Sequence, residues 1–266
     1  MKIGFIGAGN MATAIIGGLL GAGTKAEDIC VFDMDSSKLD TFSAKGISVE
    51  VNGCDVTKKC DIIVLAVKPQ NYSEVLREIA PCADESKTFV SIAAGITINF
   101  VRKGLGVDCP VVRVMPNTPL LVGKGATAIC FSDNVSLQAK EVTSAMFSCS
   151  GALEEFTEDK MDAIISVNGS SPAYFYLFAK AMLSYAESVG IERVSAMNLI
   201  CAAMEGSAEM LRSSGDDPDT LIKKVSSKGG TTIEALNKFY EHGLESAVKD
   251  AMAACTKRAA ELAAEA

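Results

Sequence analysis

The chain carries a single histidine, His242, in 266 residues. That scarcity argues against a histidine-based metal centre, and no Ser–His–Asp arrangement can be built convincingly around His242. The residue lies in Tyr240-Glu241-His242-Gly243, where it reads as a helix C-terminus, a place that favours partial positive charge. Basic residues are also in deficit: 25 Lys and Arg against 33 Asp and Glu leave a net charge of −8, with a pI near 4.9. A surface of that sign argues against nucleic acid and anionic membranes as partners. It leaves room for a small anionic substrate, because one local site can oppose the global charge. Nine cysteines are present without a Cys-x-x-Cys pair, so zinc and thioredoxin-type chemistry have no support. Most sit in apolar runs such as Asp28-Ile29-Cys30-Val31 and read as small buried thiols of a reducing compartment. No apolar stretch is long enough to span a bilayer, and no signal peptide is visible, since the first strand begins at residue 3. The cytoplasm is the expected location. No internal repeat stands out, and no metal site is expected.

Against these absences stands an ample apolar fraction. At 48% apolar and 22% charged residues the chain is globular, with core enough for one large domain or two modest ones. It opens Met1-Lys2-Ile3-Gly4-Phe5-Ile6-Gly7-Ala8-Gly9-Asn10-Met11-Ala12. A short strand, then Gly7-x-Gly9-x-x-Ala12, then an apolar helix is the order that a dinucleotide pyrophosphate needs. Gly7 suits the tight turn, and Gly9 lets phosphates approach the backbone. Ala12 lets the helix pack close to the strand, and the helix N-terminus points its free N–H groups at the anion. An acid, Asp33, follows about 20 residues after the last small position. The bland alternative is a plain glycine turn in an α/β domain; the strand before and helix after weigh against it.

Strand and helix then alternate. Strands are expected at Lys2–Ile6, Asp28–Phe32, Ile47–Val51, Asp61–Val67, Thr88–Ala93, Val111–Met115 and Ala126–Phe131. Helices are expected at Asn10–Leu20, Ser36–Lys45, Asn71–Ile79 and Ser136–Phe147. Continuous β-branched runs suit strands covered on both faces, and the alternation implies a Rossmann-type, doubly wound parallel sheet. After about Phe156 no convincing strand follows. Residues 158–213 and 231–264 are rich in Ala, Leu, Met and Glu at helical spacing, with breaks at Gly190, at 213–218 and at 228–230. The expected organisation is α/β: a dinucleotide-binding domain over 1–156 and an all-helical domain over 157–266. Long Ala-rich helices such as Gly190–Arg212 often pack against a copy of themselves, so a homodimer built on the helical domain is expected.

Ligands of an open parallel sheet sit beyond the carboxyl ends of its strands. That rule nominates Ala66-Val67-Lys68-Pro69, Ala93-Ala94-Gly95 and Met115-Pro116-Asn117-Thr118. The small residues at 93–95 would let a flat ring lie near the backbone, and Asn117 could bond a carboxamide. The alternative is a solvated lysine and an ordinary loop. A sharper signal is Val225-Ser226-Ser227-Lys228-Gly229-Gly230-Thr231-Thr232-Ile233-Glu234. Thr231-x-x-Glu234 reads as a capping box that starts a helix. Two glycines and a Ser-Ser pair before it make a loop of bare N–H donors at a positive helix end, suited to a carboxylate. An ordinary helix cap is the alternative. A second loop, Val167-Asn168-Gly169-Ser170-Ser171-Pro172-Ala173-Tyr174, also enters a helix, with Pro172 in its first turn.

Together these segments resemble the Δ1-pyrroline-5-carboxylate reductase family over essentially the whole chain. The resemblance rests on Gly4-Phe5-Ile6-Gly7-Ala8-Gly9-Asn10-Met11, Ala66-Val67-Lys68-Pro69-Gln70, Arg113-Val114-Met115-Pro116-Asn117-Thr118-Pro119, Gly169-Ser170-Ser171-Pro172-Ala173-Tyr174 and Ser226-Ser227-Lys228-Gly229-Gly230-Thr231-Thr232. It implies an N-terminal domain that binds NADPH or NADH and a helical domain that dimerises and supplies the substrate pocket. It implies NAD(P)H-dependent reduction of 1-pyrroline-5-carboxylate to L-proline, and dimers that assemble into decamers in many members. It implies that Gly229, Gly230, Thr231 and Thr232 hold the substrate carboxylate, that Thr232 lies near the ring nitrogen and that Glu158 is near the substrate; Ser227 is expected to join that loop. It implies a coenzyme lined by Ile6, Gly7, Ala8, Gly9, Asn10, Met11, Asn52, Ala66, Val67, Lys68, Pro69, Ala93, Ala94 and Gly95; Asp33, Asp35 and Asn117 are expected beside them.

Two positions depart from the family pattern. Ser171 stands where the family usually has glycine, and the helix start is expected to survive it. Asp33 ends the second strand; its carboxylate suits a ribose diol and repels a 2′-phosphate. Ser36, Ser37 and Lys38 follow directly and could hold that phosphate, while the usual arginine is absent. Dual coenzyme use is expected, with NADH better tolerated than is usual. Two rivals share features of the chain. A hydroxyacid dehydrogenase would need a catalytic lysine in the first long inter-domain helix, where Lys180 lies two turns inside an aromatic stretch. A nicotinamide-sensing regulator would need the first domain but not the loop at 226–232.

Overall fold

The computed structural model describes residues 1–265, with side chains through Ala263. Ile3–Ile6 (β1) is buried at all four positions, which is why an unbroken apolar run encodes it. Asn10–Gly21 (α1) follows. Next come Ile29–Phe32 (β2), one helical turn Asp40–Ser43 (α2), Ser48–Val49 (β3), Gly53–Lys59 (α3) and Ile62–Leu65 (β4). Tyr72–Ile79 (α4), Thr88–Ser91 (β5), Ile98–Leu105 (α5) and Val111–Met115 (β6) complete the alternation. Gly125–Phe131 (β7), Leu137–Ser148 (α6) and Gly151–Glu155 (β8) end the sheet.

The eight strands lie in the order β3-β2-β1-β4-β5-β6-β7-β8. From β3 to β6 every pairing is parallel, as expected. The β6–β7 pairing is antiparallel, which departs from the fully parallel expectation, and β8 then runs parallel to β7. The reason is length. Only a short turn over Thr118–Val122 joins β6 to β7, and a parallel return needs a crossover of a dozen or more residues. β8 was not among the expected strands; Gly-Ala-Leu-Glu-Glu has no β-branched residue, and pairing with β7 supplies what propensity does not. Two further helices of the alternation, α3 and α5, for which the sequence set no bounds, have starts capped by Asn52 and Thr97. The helix expected over Ser36–Lys45 is a 3₁₀ turn followed by α2.

The sheet is covered on both faces. Ile62 and Val64 of β4 join one core cluster with Phe5, Ile15, Phe42 and Phe147. Ile63 and Leu65 join the other, with Tyr72, Leu76, Phe89 and Val101. Alternate residues of one strand thus feed opposite layers. Cys30, Cys60, Cys109 and Cys130 are buried as expected, whereas Cys149 and Cys201 are exposed; all nine cysteines are free thiols.

Beyond β8 lie Met161–Ile164 (α7), a π-helical segment Ile165–Gly169, Ser171–Ser188 (α8) and Arg193–Ser213 (α9). Pro218–Val225 (α10), Thr231–Glu241 (α11) and Leu244–Glu265 (α12) follow. The breaks fall at Gly190, at 213–218 and at 228–230, where the sequence placed them, and His242 caps α11. The chain divides into two compact units, Met1–Pro172 with the residues from Ala254 onward, and Ala173–Ala253. The change to helical composition after Phe156 does not coincide with this division, because Met161 and Ile164 pack on the sheet's second core cluster. The second unit has a small core of its own: Leu183, Ala186, Ala196 and Ile200. Among the described residues no helix is long and apolar enough to cross a membrane.

Candidate active site

In the first unit the glycine turn has the geometry its spacing implies. Gly7 adopts φ +103°, and a Cβ there would fall 2.5 Å from the Ala66 carbonyl oxygen. Its N–H donates to the Phe32 carbonyl at 2.7 Å, tying the turn to the end of β2. Gly9 is the N-cap of α1 and makes no side-chain cap; a Cβ on it would meet nothing within 4 Å. No acid lies in the first turn of α1, and Ala12 is fully buried against the sheet. The result is a positive helix end with unclaimed N–H groups facing open space, which fits a pyrophosphate.

Around it is a cleft of about 680 Å³. Of the predicted residues, Ile6, Gly7, Gly9, Asp33, Ala66, Val67 and Lys68 line it. Lys38, named in the sequence as a possible phosphate donor, lines it too, as do Met34 and Glu78, which the sequence did not nominate. Met34 is 88% exposed although it is apolar. Its place just beyond the end of β2 was the available signal; Glu78 comes from the face of α4 and had none. Ala8, Asn10 and Met11 belong to the turn and the first turn of α1, Asp35 lies beside Asp33, and Pro69 opens the 3₁₀ turn after Lys68. Asn52 caps α3 by accepting from the Asp55 N–H at 2.8 Å.

Asp33 is heavily engaged. Its Oδ2 accepts from the Ala8 N–H at 2.8 Å, and its Oδ1 from the Asp35 N–H at 2.9 Å and from the Lys38 ammonium at 3.1 Å. Burial works against its charge, but those three donors outweigh it and hold the carboxyl below the usual range. Asp35 in turn accepts from the Ser37 N–H and hydroxyl and stands 3.7 Å from Lys38. Of the groups suited to a 2′-phosphate, Ser36, Ser37 and Lys38, the last two are therefore committed to carboxylates.

The ends of β4 and β5 are braced from below. Tyr72, fully buried on α4, donates to the Leu65 carbonyl at 2.7 Å and accepts from the Ser91 hydroxyl at 3.1 Å. Ala66–Lys68 leave β4 at that level, and Ala93–Gly95 leave the neighbouring β5. Asn117 is buried and lies apart from the cleft lining. Its oxygen accepts from the Ala126 N–H and its amide donates to the Asn168 carbonyl, so it ties the β6–β7 turn to the π-helical segment. Glu158 opens a 3₁₀ turn before α7, and its Oε1 accepts from the Ile98 N–H at 2.7 Å. Ser171 starts α8 with Pro172 next, so the helix start survives the missing glycine. No residue other than glycine has positive φ among the described residues, so this position makes no conformational demand for glycine.

In the second unit the loop 226–232 forms a tight turn before α11. Gly229 has φ +75°, and the Gly230 N–H donates to the Ser227 carbonyl at 2.9 Å. A Cβ on Gly230 would fall 2.6 Å from the Ser227 hydroxyl. The expected capping box does not form: Gly230 is the N-cap, without a side-chain bond, and Thr231 is the first helical residue. The extended Gly230 backbone, φ −82° and ψ 162°, makes Gly230 the N-cap and moves the helix start one residue earlier than the Thr-x-x-Glu reading. The Ser226 hydroxyl is buried without a partner at the foot of the turn. The amides of Thr231 and Thr232 are thus helix-start donors with no side-chain cap, which fits a carboxylate ligand.

The comparisons with known proteins agree with this layout. Residues 158–262 match the family model described as pyrroline-5-carboxylate reductase dimerisation, and residues 2–95 match NADP oxidoreductase coenzyme F420-dependent. The chain is 37% identical over 263 residues to pyrroline-5-carboxylate reductase of Escherichia coli (strain K12), covering 98% of each chain. It is 38% identical over 264 residues to the enzyme of that name from Pseudomonas aeruginosa, covering 98% and 97%. Among solved structures, Plasmodium falciparum pyrroline carboxylate reductase with NADP bound superimposes with a TM-score of 0.91 at 30% identity, covering 99% and 98%. A pyrroline-5-carboxylate reductase from Coxiella burnetii gives 0.89 at 32% identity, covering 98% of each chain.

Proposed function

The chain belongs to the pyrroline-5-carboxylate reductase family, and we propose that its two uncapped, glycine-bearing helix ends hold the two partners of that reaction. The reaction is the NAD(P)H-dependent reduction of 1-pyrroline-5-carboxylate to L-proline, the final step of proline biosynthesis. A reduced nicotinamide, when bound, supplies the hydride that the imine carbon accepts.

The chain's own residues bind and orient. The turn Gly7–Gly9 and the first N–H groups of α1 take the pyrophosphate, with Ile6, Ala8, Asn10 and Met11 around it. Asp33 and Asp35 face the adenosine ribose, and Asn52, Ala66–Pro69 and Ala93–Gly95 surround the rest of the dinucleotide. In the second unit, Ser227, Gly229, Gly230 and Thr231 hold the substrate carboxylate, and the Thr232 hydroxyl bonds the ring nitrogen. Protonation of that nitrogen makes the imine carbon electrophilic, so the site needs little acid–base machinery, and orientation supplies most of the rate. This agrees with a lone histidine placed at the end of α11. The observation that carries the reading is the pair of helix starts at Gly9 and Gly230, each without a side-chain cap.

Both coenzymes serve, with the balance toward NADH. A 2′-phosphate would meet the Asp33 and Asp35 carboxylates, and two of the donors that could offset them, Ser37 and Lys38, are already paired. A preference for NADPH of about 100-fold in kcat/KM would overturn this balance. The nine free thiols suit the reducing cytoplasm, the proposed location. A homodimer forms through the helical region, and further assembly of dimers, as decamers, is the larger form proposed.

The test is loss of NADH and NADPH absorbance with pyrroline-5-carboxylate, with proline identified as product. Coenzyme binding without oxidation by any cyclic imine would favour a sensing role instead. Turnover of a 3-hydroxy acid would favour a dehydrogenase.

A further inference from the structure

We propose that Glu158 is a positioning residue for the dinucleotide, acting through the N-terminus of α5 on the turn Ala93–Gly95, and not a substrate contact. The proposal rests on the coenzyme placement given above. Glu158 Oε1 accepts from the N–H of Ile98, the first residue of α5, at 2.7 Å. That N–H is one of the donors a helix start leaves unsatisfied; Thr97 satisfies another, accepting from the Phe100 N–H at 3.1 Å. The same carboxylate oxygen lies 3.8 Å from the Arg113 guanidinium, whose side chain is only 4% exposed on β6. Arg113 is held on its other arm by Asp162 at 2.5 Å. Glu158 therefore sits between a positive helix end and a buried cation, and both hold it in place.

The turn it controls has little freedom left. Ile96, between Gly95 and the helix, is fully buried. Gly95 has φ +78°, and a Cβ there would fall 3.0 Å from the Ala263 backbone nitrogen and 3.2 Å from Leu262. Ala93–Gly95 is thus closed in on one side by the end of α12 and fixed on the other through Ile98. It leaves β5 beside β4, whose continuation Ala66–Lys68 lines the cleft. A carboxylate placed to set this turn shapes the surface on which the coenzyme lies. The same carboxylate would repel the anionic end of the substrate, which makes it a poor direct contact.

The test uses the full chain with Glu158→Ala and Glu158→Gln. Coenzyme affinity is read without substrate, from NADH fluorescence. The KM for pyrroline-5-carboxylate is read separately at saturating coenzyme. Glu158→Ala is expected to weaken NADH about 10-fold, the loss of one hydrogen bond to a charged group. Glu158→Gln, whose amide oxygen still accepts from Ile98, is expected to stay within about 3-fold of the parent, since a neutral acceptor retains part of that bond. The KM for pyrroline-5-carboxylate is expected to be unchanged in both. A raised KM for pyrroline-5-carboxylate with unchanged NADH affinity would overturn the proposal in favour of a substrate contact. A lowered melting temperature with unchanged NADH affinity would reduce Glu158 to a structural brace and also overturn it. Should Glu158→Ala fail to fold, Glu158→Asp, which keeps the charge but shortens its reach to Ile98, must weaken NADH or the proposal falls. Because binding is measured without substrate, a parent protein that binds NADH but reduces no imine would remove the assigned reaction and leave this proposal standing.

Discussion

Asp33 shows how one carboxylate can brace the fold and line a cleft together. It ties the end of β2 to the glycine turn through Ala8, and it faces the cleft with its charge. Its folded carboxyl titrates below the usual range because, against the cost of burial, three donors favour the ionised form. The linked stability is therefore present above about pH 4, the unfolded value, and is lost as pH falls through the depressed folded value. Asp33→Asn should lower the urea midpoint at pH 7, and the gap to the parent should narrow as pH falls below about 4. A gap that persists unchanged in acid would exclude this linkage. The same variant should improve NADPH relative to NADH. At the other site, Thr232→Ala should cost about 10-fold or more in kcat/KM, since one positioned hydrogen bond is worth on the order of 1.4 kcal/mol. Unchanged kinetics would remove Thr232 from the reaction.

At the scale of elements, the start of α1 separates stability from binding. Gly9 has an ordinary φ of −76°, and a side chain on it meets open space. Aspartate is a favoured N-cap, so Gly9→Asp should fold at least as well as the parent. It should nonetheless weaken the dinucleotide by about 10-fold or more, because it places an anion where the pyrophosphate belongs. Retained affinity in a calorimetric titration would mean that the phosphates lie elsewhere. Gly7→Ala should do the reverse and fail through the fold. With φ +103° and a carbonyl at 2.5 Å, the strain amounts to roughly 1–3 kcal/mol, visible as a lower midpoint even without ligand. The strand–turn–helix of Ile3–Gly21 was legible in the chain because each step depends on residues within a few positions: β-branched burial, a turn only glycine fits, a small residue for close packing. The start of α11 was legible to within one residue. The capping box missed because the extended backbone of Gly230, closed onto Ser227, decides which residue is first.

At the scale of the molecule, the second unit has too little core for its surface. Four residues, Leu183, Ala186, Ala196 and Ile200, form it. Phe175, Leu177 and Tyr185 of α8 and Leu199 of α9 are exposed, Leu199 at 71%. An apolar face of that kind on helices matching a dimerisation model calls for a second copy. Light scattering should give at least twice the chain mass of 27.9 kDa, and Leu199→Glu should shift the population toward monomer. A monomeric parent at micromolar concentration would rule the interface out.

What the amino-acid order determined by itself was local and steric. The glycine turn at Gly7–Gly9, the breaks at Gly190 and Gly229, the proline-led start of α8 and the acid at the end of β2 all follow from neighbours along the chain. What only the tertiary structure decided was long-range. It set the reversed direction of β7 and the recruitment of β8. It turned Asn117 inward to hold the π-helical segment, paired Lys38 with Asp33, and set Glu158 on the N–H of Ile98. Each depends on which distant groups packing brings together, and a buried hydrogen bond or strand pairing has no counterpart in local periodicity.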